Sequence, residues 1–211
     1  MTDAHALWTA NTDIATACLN HPFVQGLATG ALPRDRFAVY VGQDAFFLEA
    51  FTRAYALALA KSPDRQGLVL FRDLLNGVAN ELTLHRGYAK KWGIDLTPTP
   101  LTATSAYTDF LLATAGLETV GYIIAAMTPC MRLYAWLGQS LKADVNPQSL
   151  YFEWVETYAD PEFESMVCAL EAALNRYGGD EARVGMLYRR AMGLELAFFE
   201  SAWVGETKEG M

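Results

Sequence analysis

Apolar residues recur along nearly the whole chain at intervals of three and four, the spacing of one face of an α-helix. No run of four or more residues alternates in the manner of a strand. Phe37, Tyr40, Val41, Phe47, Leu48, Phe51 and Tyr55 form one such face and predict a long helix over about 34–60, with Pro33 at its start. Leu187, Tyr188, Ala191, Met192, Phe198, Phe199 and Ala202 predict another over about 181–205. Further helices are predicted at about 5–20, 22–29, 65–92, 103–115, 118–143 and 148–176. The breakers agree with these bounds. Pro22 opens a helix after His21, Lys61-Ser-Pro-Asp64 interrupts, and Tyr177-Gly-Gly-Asp180 reads as a stop followed by an N-cap. Gly93 to Pro100 is the longest loop-like segment. With no repeat, low-complexity stretch or linker, the pattern predicts one all-α domain over 1–211, built from seven or eight helices.

Three polar residues stand where these faces call for an aliphatic side chain. Asp44 lies in the middle of the 34–60 face and Glu195 interrupts the last stripe, whereas Glu200 falls about 140° from Glu195 and points to solvent. An unpaired carboxylate taken out of water costs several kcal/mol and answers with a raised pKa. The third is Cys130, in Met127-Thr-Pro-Cys-Met-Arg-Leu-Tyr134, on one face with Ala126, Met127, Leu133, Tyr134 and Leu137. A buried cysteine is most often an inert small hydrophobe. Pro129, however, removes a helical hydrogen bond just before this thiol and predicts a kink with room for a ligand. Phe47, Tyr107, Tyr134, Tyr151, Trp154 and Tyr158 pack as core by their spacing, yet tyrosines beside acids also suit a flat aromatic ligand with polar edges.

Glu81 and His85 form an E-x-x-x-H pair, which could begin a di-iron or zinc site. The other histidines are His5 and His21, and no second E-x-x-H-like motif accompanies the first. His21 is a weak candidate for an axial haem ligand. The reading is therefore that Glu81 and His85 hydrogen-bond each other or neighbouring groups, with no metal ligand set and no cofactor required.

Composition narrows the classes. In 211 residues the hydrophobic share is 52%, and the mean hydropathy of +0.10 is high. No stretch of about 18 uninterrupted apolar residues marks a membrane span, so the surplus belongs in a core or between subunits. The net charge of −8, with a pI of about 4.9 and no basic stripe, argues against nucleic acid as a partner. Cys18, Cys130 and Cys168 are odd in number and widely spaced, as free thiols in a reducing compartment would be. Met1-Thr-Asp-Ala-His5 lacks the pattern of a signal peptide, so a cytoplasmic location is expected.

Taken in order, Tyr40-Val-Gly-Gln-Asp-Ala-Phe-Phe-Leu48 with Phe51 and Arg53, Glu81-x-x-x-His85, Pro129-Cys130-x-x-x-Tyr134, Tyr151-x-x-Trp154-x-x-x-Tyr158 and Glu195-x-x-Phe198 resemble the TenA family of thiaminase II and aminopyrimidine aminohydrolases, in its cysteine-bearing branch. The resemblance implies a haem-oxygenase-like helical bundle, assembled as a homotetramer. It implies hydrolysis of 4-amino-5-aminomethyl-2-methylpyrimidine, or of thiamin, to the hydroxymethylpyrimidine used in thiamin salvage. Cys130 would be the nucleophile and Glu195 the general acid. Asp44 would bind the amino edge, Phe47 and Tyr134 would flank the ring, and Tyr107 and Tyr158 would give polar contacts. Three positions depart from the family pattern. Arg132 stands two residues after the cysteine in place of an aromatic, within possible reach of the thiol; Phe198-Phe199 replaces Phe-Trp; and Ala45 follows Asp44. Two other classes remain open, a non-catalytic pyrimidine-binding or regulatory protein and a metal-dependent oxidase on the same fold.

Overall fold

The computed structural model describes residues 2–205, and among these it contains ten α-helices and no strand. They are α1 (Ala4–Thr9), α2 (Thr12–Leu19), α3 (Pro22–Thr29), α4 (Arg34–Ala60), α5 (Arg65–Trp92), α6 (Thr102–Leu117), α7 (Val120–Leu141), α8 (Phe152–Tyr158), α9 (Pro161–Tyr177) and α10 (Glu181–Val204). The expected domain over 1–211 runs past the described residues at Met1 and at 206–211.

Local chemistry sets the ends. The side chains of Asp64, Asp160 and Asp180 accept backbone N–H groups at the starts of α5, α9 and α10, satisfying donors that a helix leaves unpaired. Gly30 and Gly93 close α3 and α5 at φ of 78° and 68°, a conformation that costs other residues a steric clash.

Two helices expected to be continuous are each divided. The 5–20 segment breaks at Ala10–Asn11, where the buried Asn11 side chain turns back to donate to the Leu7 carbonyl at 2.8 Å. The 148–176 segment begins only at Phe152 and breaks at Ala159–Asp160. Pro161 there disfavours helical geometry in the residue before it, and Asp160 is extended at ψ 134° while capping α9. Periodicity alone does not register such corners, because the apolar spacing carries across them.

Helices α4, α7 and α10 form the centre. α7 packs against α6, α8, α9 and α10, while α4 packs against α5, α6 and α10. Their inward side chains, among them Phe51, Ile124, Leu133 and Phe199, belong to one hydrophobic cluster. Among the described helices α7 alone is long and apolar enough to cross a bilayer, and 78% of its apolar window is buried inside the protein. It continues through Pro129, whose missing N–H leaves the Ala125 carbonyl without its usual helical donor.

The α7–α8 contact is unusually close at Gly138. A Cβ there would lie 2.6 Å from both the Ala159 nitrogen and the Tyr158 carbonyl carbon, atoms of the corner that cannot yield. Gly138→Ala is expected to lower stability by about 1–3 kcal/mol through this overlap, read as a lower midpoint in urea unfolding. An unchanged midpoint would mean that the corner does not rest on α7.

Candidate active site

A cavity of about 340 Å³ opens between α4, α5, α7 and the α8–α9 corner. That volume lies in the ordinary range for small-molecule sites. Asp44, Phe47, Phe51 and Tyr55 enter from α4, Glu81 from α5, Cys130 and Tyr134 from α7, and Tyr158 from α8. Residues 44, 47, 51 and 55 follow helical spacing, so the face that builds the core of α4 also builds this wall. Phe163 and Met166 of α9 complete the lining.

Behind the cavity, Glu195 of α10 is 2% exposed. The Tyr107 hydroxyl donates to its Oε1 at 2.6 Å, and the carboxyl acts electrostatically on the nearby Cys130 thiol. A second chain runs across the bundle: the Trp154 indole N–H donates to the Tyr40 hydroxyl, which donates to the Tyr134 hydroxyl, each at 3.3 Å. Tyr134 is thereby fixed while its ring meets Tyr158 edge-on at 4.8 Å. The Tyr158 hydroxyl donates to Glu81. His85 Nε2 approaches Asp44 Oδ2 at 3.2 Å, but not in hydrogen-bond alignment, so this buried oxygen has no partner within the protein. The Tyr55 hydroxyl, in the cavity wall, has none either.

Burial dominates the electrostatics. It pushes the Glu195 carboxyl up to about 7 against the opposing hydrogen bonds from Tyr107 and Cys130, so this acid holds a proton near neutrality. Asp44 is raised well above the usual carboxylate range, first by burial and then by the charges of Glu81 and Glu195. Glu81 is raised by burial, with the Tyr158 hydrogen bond opposing. Burial lowers His85 to about 4, which leaves its imidazole neutral. Cys130 is raised well above an ordinary thiol by burial and then by the charges of Glu195, Glu81 and Asp44. The resting thiol is therefore protonated, and reaction at sulfur needs a base at hand.

Of the residues singled out in the sequence, Asp44, Phe47, Cys130, Tyr134 and Tyr158 line one cavity. Tyr107 and Glu195 stand behind them, and the Tyr107 hydroxyl is directed at Glu195. Arg132 does not reach the thiol. Its guanidinium is held by Glu164 at 2.9 Å and Glu171 at 2.7 Å, which turns it toward α9. His21 caps α3 through Phe23 N and pairs with Glu200 at 2.8 Å. All three cysteines are free.

Of the two arrangements open to Glu81 and His85 from sequence, each other or neighbouring groups, the structure shows the second: Glu81 accepts from Tyr158, and His85 Nε2 lies 3.2 Å from Asp44. The usable signal was the i, i+4 spacing, which puts both on one face of α5. Tyr55 was legible as a member of the Asp44 face but not as an unpartnered hydroxyl. Ligating atoms of Asp44, Glu81 and His85 lie within 4.8 Å of one another. Such a set could offer a divalent cation three donors, and it could equally take the polar edge of an organic ligand.

Residues 8–203 match the model of the TENA/THI-4/PQQC family. The chain is 32% identical over 215 residues to an aminopyrimidine aminohydrolase of Halalkalibacterium halodurans, covering 96% of each. It is 33% identical over 210 residues to the mitochondrial bifunctional TH2 protein of Arabidopsis thaliana; the match takes in 85% of this chain but only 34% of that longer protein. Among solved structures, a TenA family transcription regulator from Silicibacter sp. TM1040 superposes with a TM-score of 0.90 at 26% identity, over 96% of this chain and 97% of the other.

The raised Glu195 acid has a consequence for stability. In the folded state it binds its proton more tightly than in the unfolded chain, so its contribution is complete below the ordinary carboxylate value of 4.5 and is lost as pH rises through about 7. Glu195→Gln removes that penalty while leaving Tyr107 an acceptor. The variant is expected to be more stable than wild type by about 2–3 kcal/mol above neutrality, with the difference vanishing toward pH 4. Urea unfolding at pH 8 and pH 4 reads this directly. A gain of equal size at both pH values would contradict the assignment.

Proposed function

The chain belongs to the TENA/THI-4/PQQC family, and we propose that it is an aminopyrimidine aminohydrolase. It converts 4-amino-5-aminomethyl-2-methylpyrimidine, a thiamin breakdown product, to the hydroxymethylpyrimidine, and it does so through a covalent adduct at Cys130. The observation that carries this reading is the placement of the Cys130 thiol in the cavity wall with the buried Glu195 carboxyl behind it, braced by the Tyr107 hydroxyl. A nucleophile and an acid share one proton site at the wall of a cavity sized for a small ring.

The roles follow from placement. Asp44, with an unpartnered buried oxygen, accepts from the amino edge of the pyrimidine. Phe47 and Tyr134 present ring faces to either side of the aromatic substrate. Tyr158 gives a polar contact at the rim, and Tyr107 acts through Glu195. Glu195 donates its proton to a ring nitrogen, which makes the adjacent ring carbon electrophilic. The sulfur adds there while its own proton passes to the carboxylate just vacated, so no separate cation is needed to activate the thiol. The dearomatised ring then expels ammonia from the protonated aminomethyl arm, water adds to the methylene carbon and gives up a proton, and the thiol leaves with a proton from Glu195, which recovers its own from the ring nitrogen. Thiamin would react in the same way with its thiazole as the leaving group.

The enzyme is read as one cytoplasmic domain, working without nucleic acid or membrane and assembled as a homotetramer. The net charge of −8 supports the first exclusion, and exposed apolar side chains such as Met186, at 66%, are available to subunit contacts.

Incubation with the aminomethylpyrimidine should release ammonia and hydroxymethylpyrimidine in equal amounts. Cys130→Ala is expected to lower the rate by at least about 10²-fold while still binding the product. kcat/KM should decline as pH rises above about 7, because the protonated Glu195 is the active form. Pyrimidine binding without turnover by the wild type would favour the binding-protein class instead, and a Cys130→Ala variant as fast as wild type would end the nucleophile assignment.

A further inference from the structure

Three carboxylates act on the Cys130 thiol, those of Glu195, Glu81 and Asp44. Glu195 moves protons and Asp44 takes the amino edge, whereas the chemistry above leaves Glu81 without a task. It lines the cavity, its carboxylate accepts from Tyr158, and it lies within 4.8 Å of an Asp44 oxygen. Two carboxylates this close repel unless a proton or a cation stands between them. No Lys or Arg lines the cavity among the described residues, and the neighbouring His85 is neutral. At rest burial favours a proton on this pair, so a positive charge that takes the proton's place has to come with the ligand.

Substrate geometry indicates where that charge goes. In a 4-amino-5-aminomethylpyrimidine the amino group and the aminomethyl arm occupy adjacent ring carbons, so their nitrogens stand side by side. If Asp44 holds the amino group, the arm projects beside it, toward the next carboxylate in the wall. We propose that Glu81 is the leaving-group carboxylate of this site: it pairs with the substrate's ammonium and then accepts the proton of the water that replaces it. This rests on the hydrolase reading above and extends it to one residue.

The step balances as follows. The substrate enters with its arm as –NH₃⁺ against Glu81. After sulfur has added to the ring, the enamine electrons break the C–N bond and ammonia leaves with the bonding pair. Water forms a C–O bond to the methylene, its surplus proton passes to Glu81, and the electron pair returns to the ring. The C–S bond breaks as aromaticity is restored, the sulfur takes its proton from Glu195, and Glu195 recovers its own from the ring nitrogen. Glu81 then gives its proton to the departing ammonia, so that the products are the alcohol and ammonium. Tyr158, as donor to Glu81, holds the carboxylate toward the arm.

The test separates charge recognition from turnover. In a Cys130→Ser background, calorimetry should show the aminomethylpyrimidine binding about tenfold more tightly than the hydroxymethylpyrimidine, as expected for one charge-assisted contact. Adding Glu81→Gln should reduce that preference to about twofold or less while leaving hydroxymethylpyrimidine affinity within about threefold. With Cys130 intact, Glu81→Gln should lower kcat/KM for the aminomethyl substrate by about 10²-fold. Equal weakening of both ligands by Glu81→Gln, or a preference that survives it, overturns the role of Glu81 while the hydrolase reading stands. Failure of the Cys130→Ser protein to bind either pyrimidine overturns both.

Discussion

The cost of holding charge out of water governs this protein. Asp44, Glu195 and His85 are all buried, at 4%, 2% and 2% exposure, and no lysine or arginine lines the cavity that Asp44 faces among the described residues. A core in which every ionisable group must be neutral, hydrogen-bonded or shared settles its protons by position rather than by bulk pH. Glu195 retains a proton near pH 7 because of its burial, and the thiol retains its own for the same reason. The two are useful only together, since each protonated group has the other as its exchange partner.

The rest of the bundle holds these groups still. α4, α7 and α10 are long, continuous and central, so Asp44, Cys130 and Glu195 sit on rigid elements rather than on loops. Aromatic layers do the remaining work. Tyr134 is held by the Trp154–Tyr40 hydrogen-bond chain and packed against Phe199 at 5.8 Å, which leaves its ring little freedom to turn. Arg132 belongs to this framework. With Glu164 and Glu171 it ties α7 to α9 just past the cysteine, as a mostly buried ion triad whose members would be costly to leave unpaired.

The α8–α9 corner links fold to site. A proline that cannot continue a helix and an aspartate that caps the next one turn the chain at Ala159–Asp160. The last residue of α8 is Tyr158, whose hydroxyl reaches Glu81 on α5, while Phe163 and Met166 on α9 close the same cavity. Gly138 lets α7 approach this corner to a distance that no side chain would permit. The cavity walls from α5, α7, α8 and α9 thus depend on one close backbone approach.

The helical class, the helix faces and the presence of acids and a thiol within them were legible in the amino-acid order, because a 3.6-residue period converts spacing directly into a shared face. Asp44 and Glu195 were visible as interruptions for that reason, and the ordered motifs identified the family to which the chain belongs. The corners at Asn11 and Asp160 were not legible, since the apolar rhythm passes over them. Nor were the pairings that make the site: Tyr107 with Glu195 is 88 residues apart in the chain, Tyr158 with Glu81 is 77, and Asp44 with His85 joins two neighbouring helices. Arg132 is two residues from the thiol in sequence, yet its guanidinium pairs with Glu164 and Glu171 of α9. Periodicity states which way a side chain faces on its own helix. What it meets there depends on the rotation and offset of a second helix, and these are fixed only when the whole core closes.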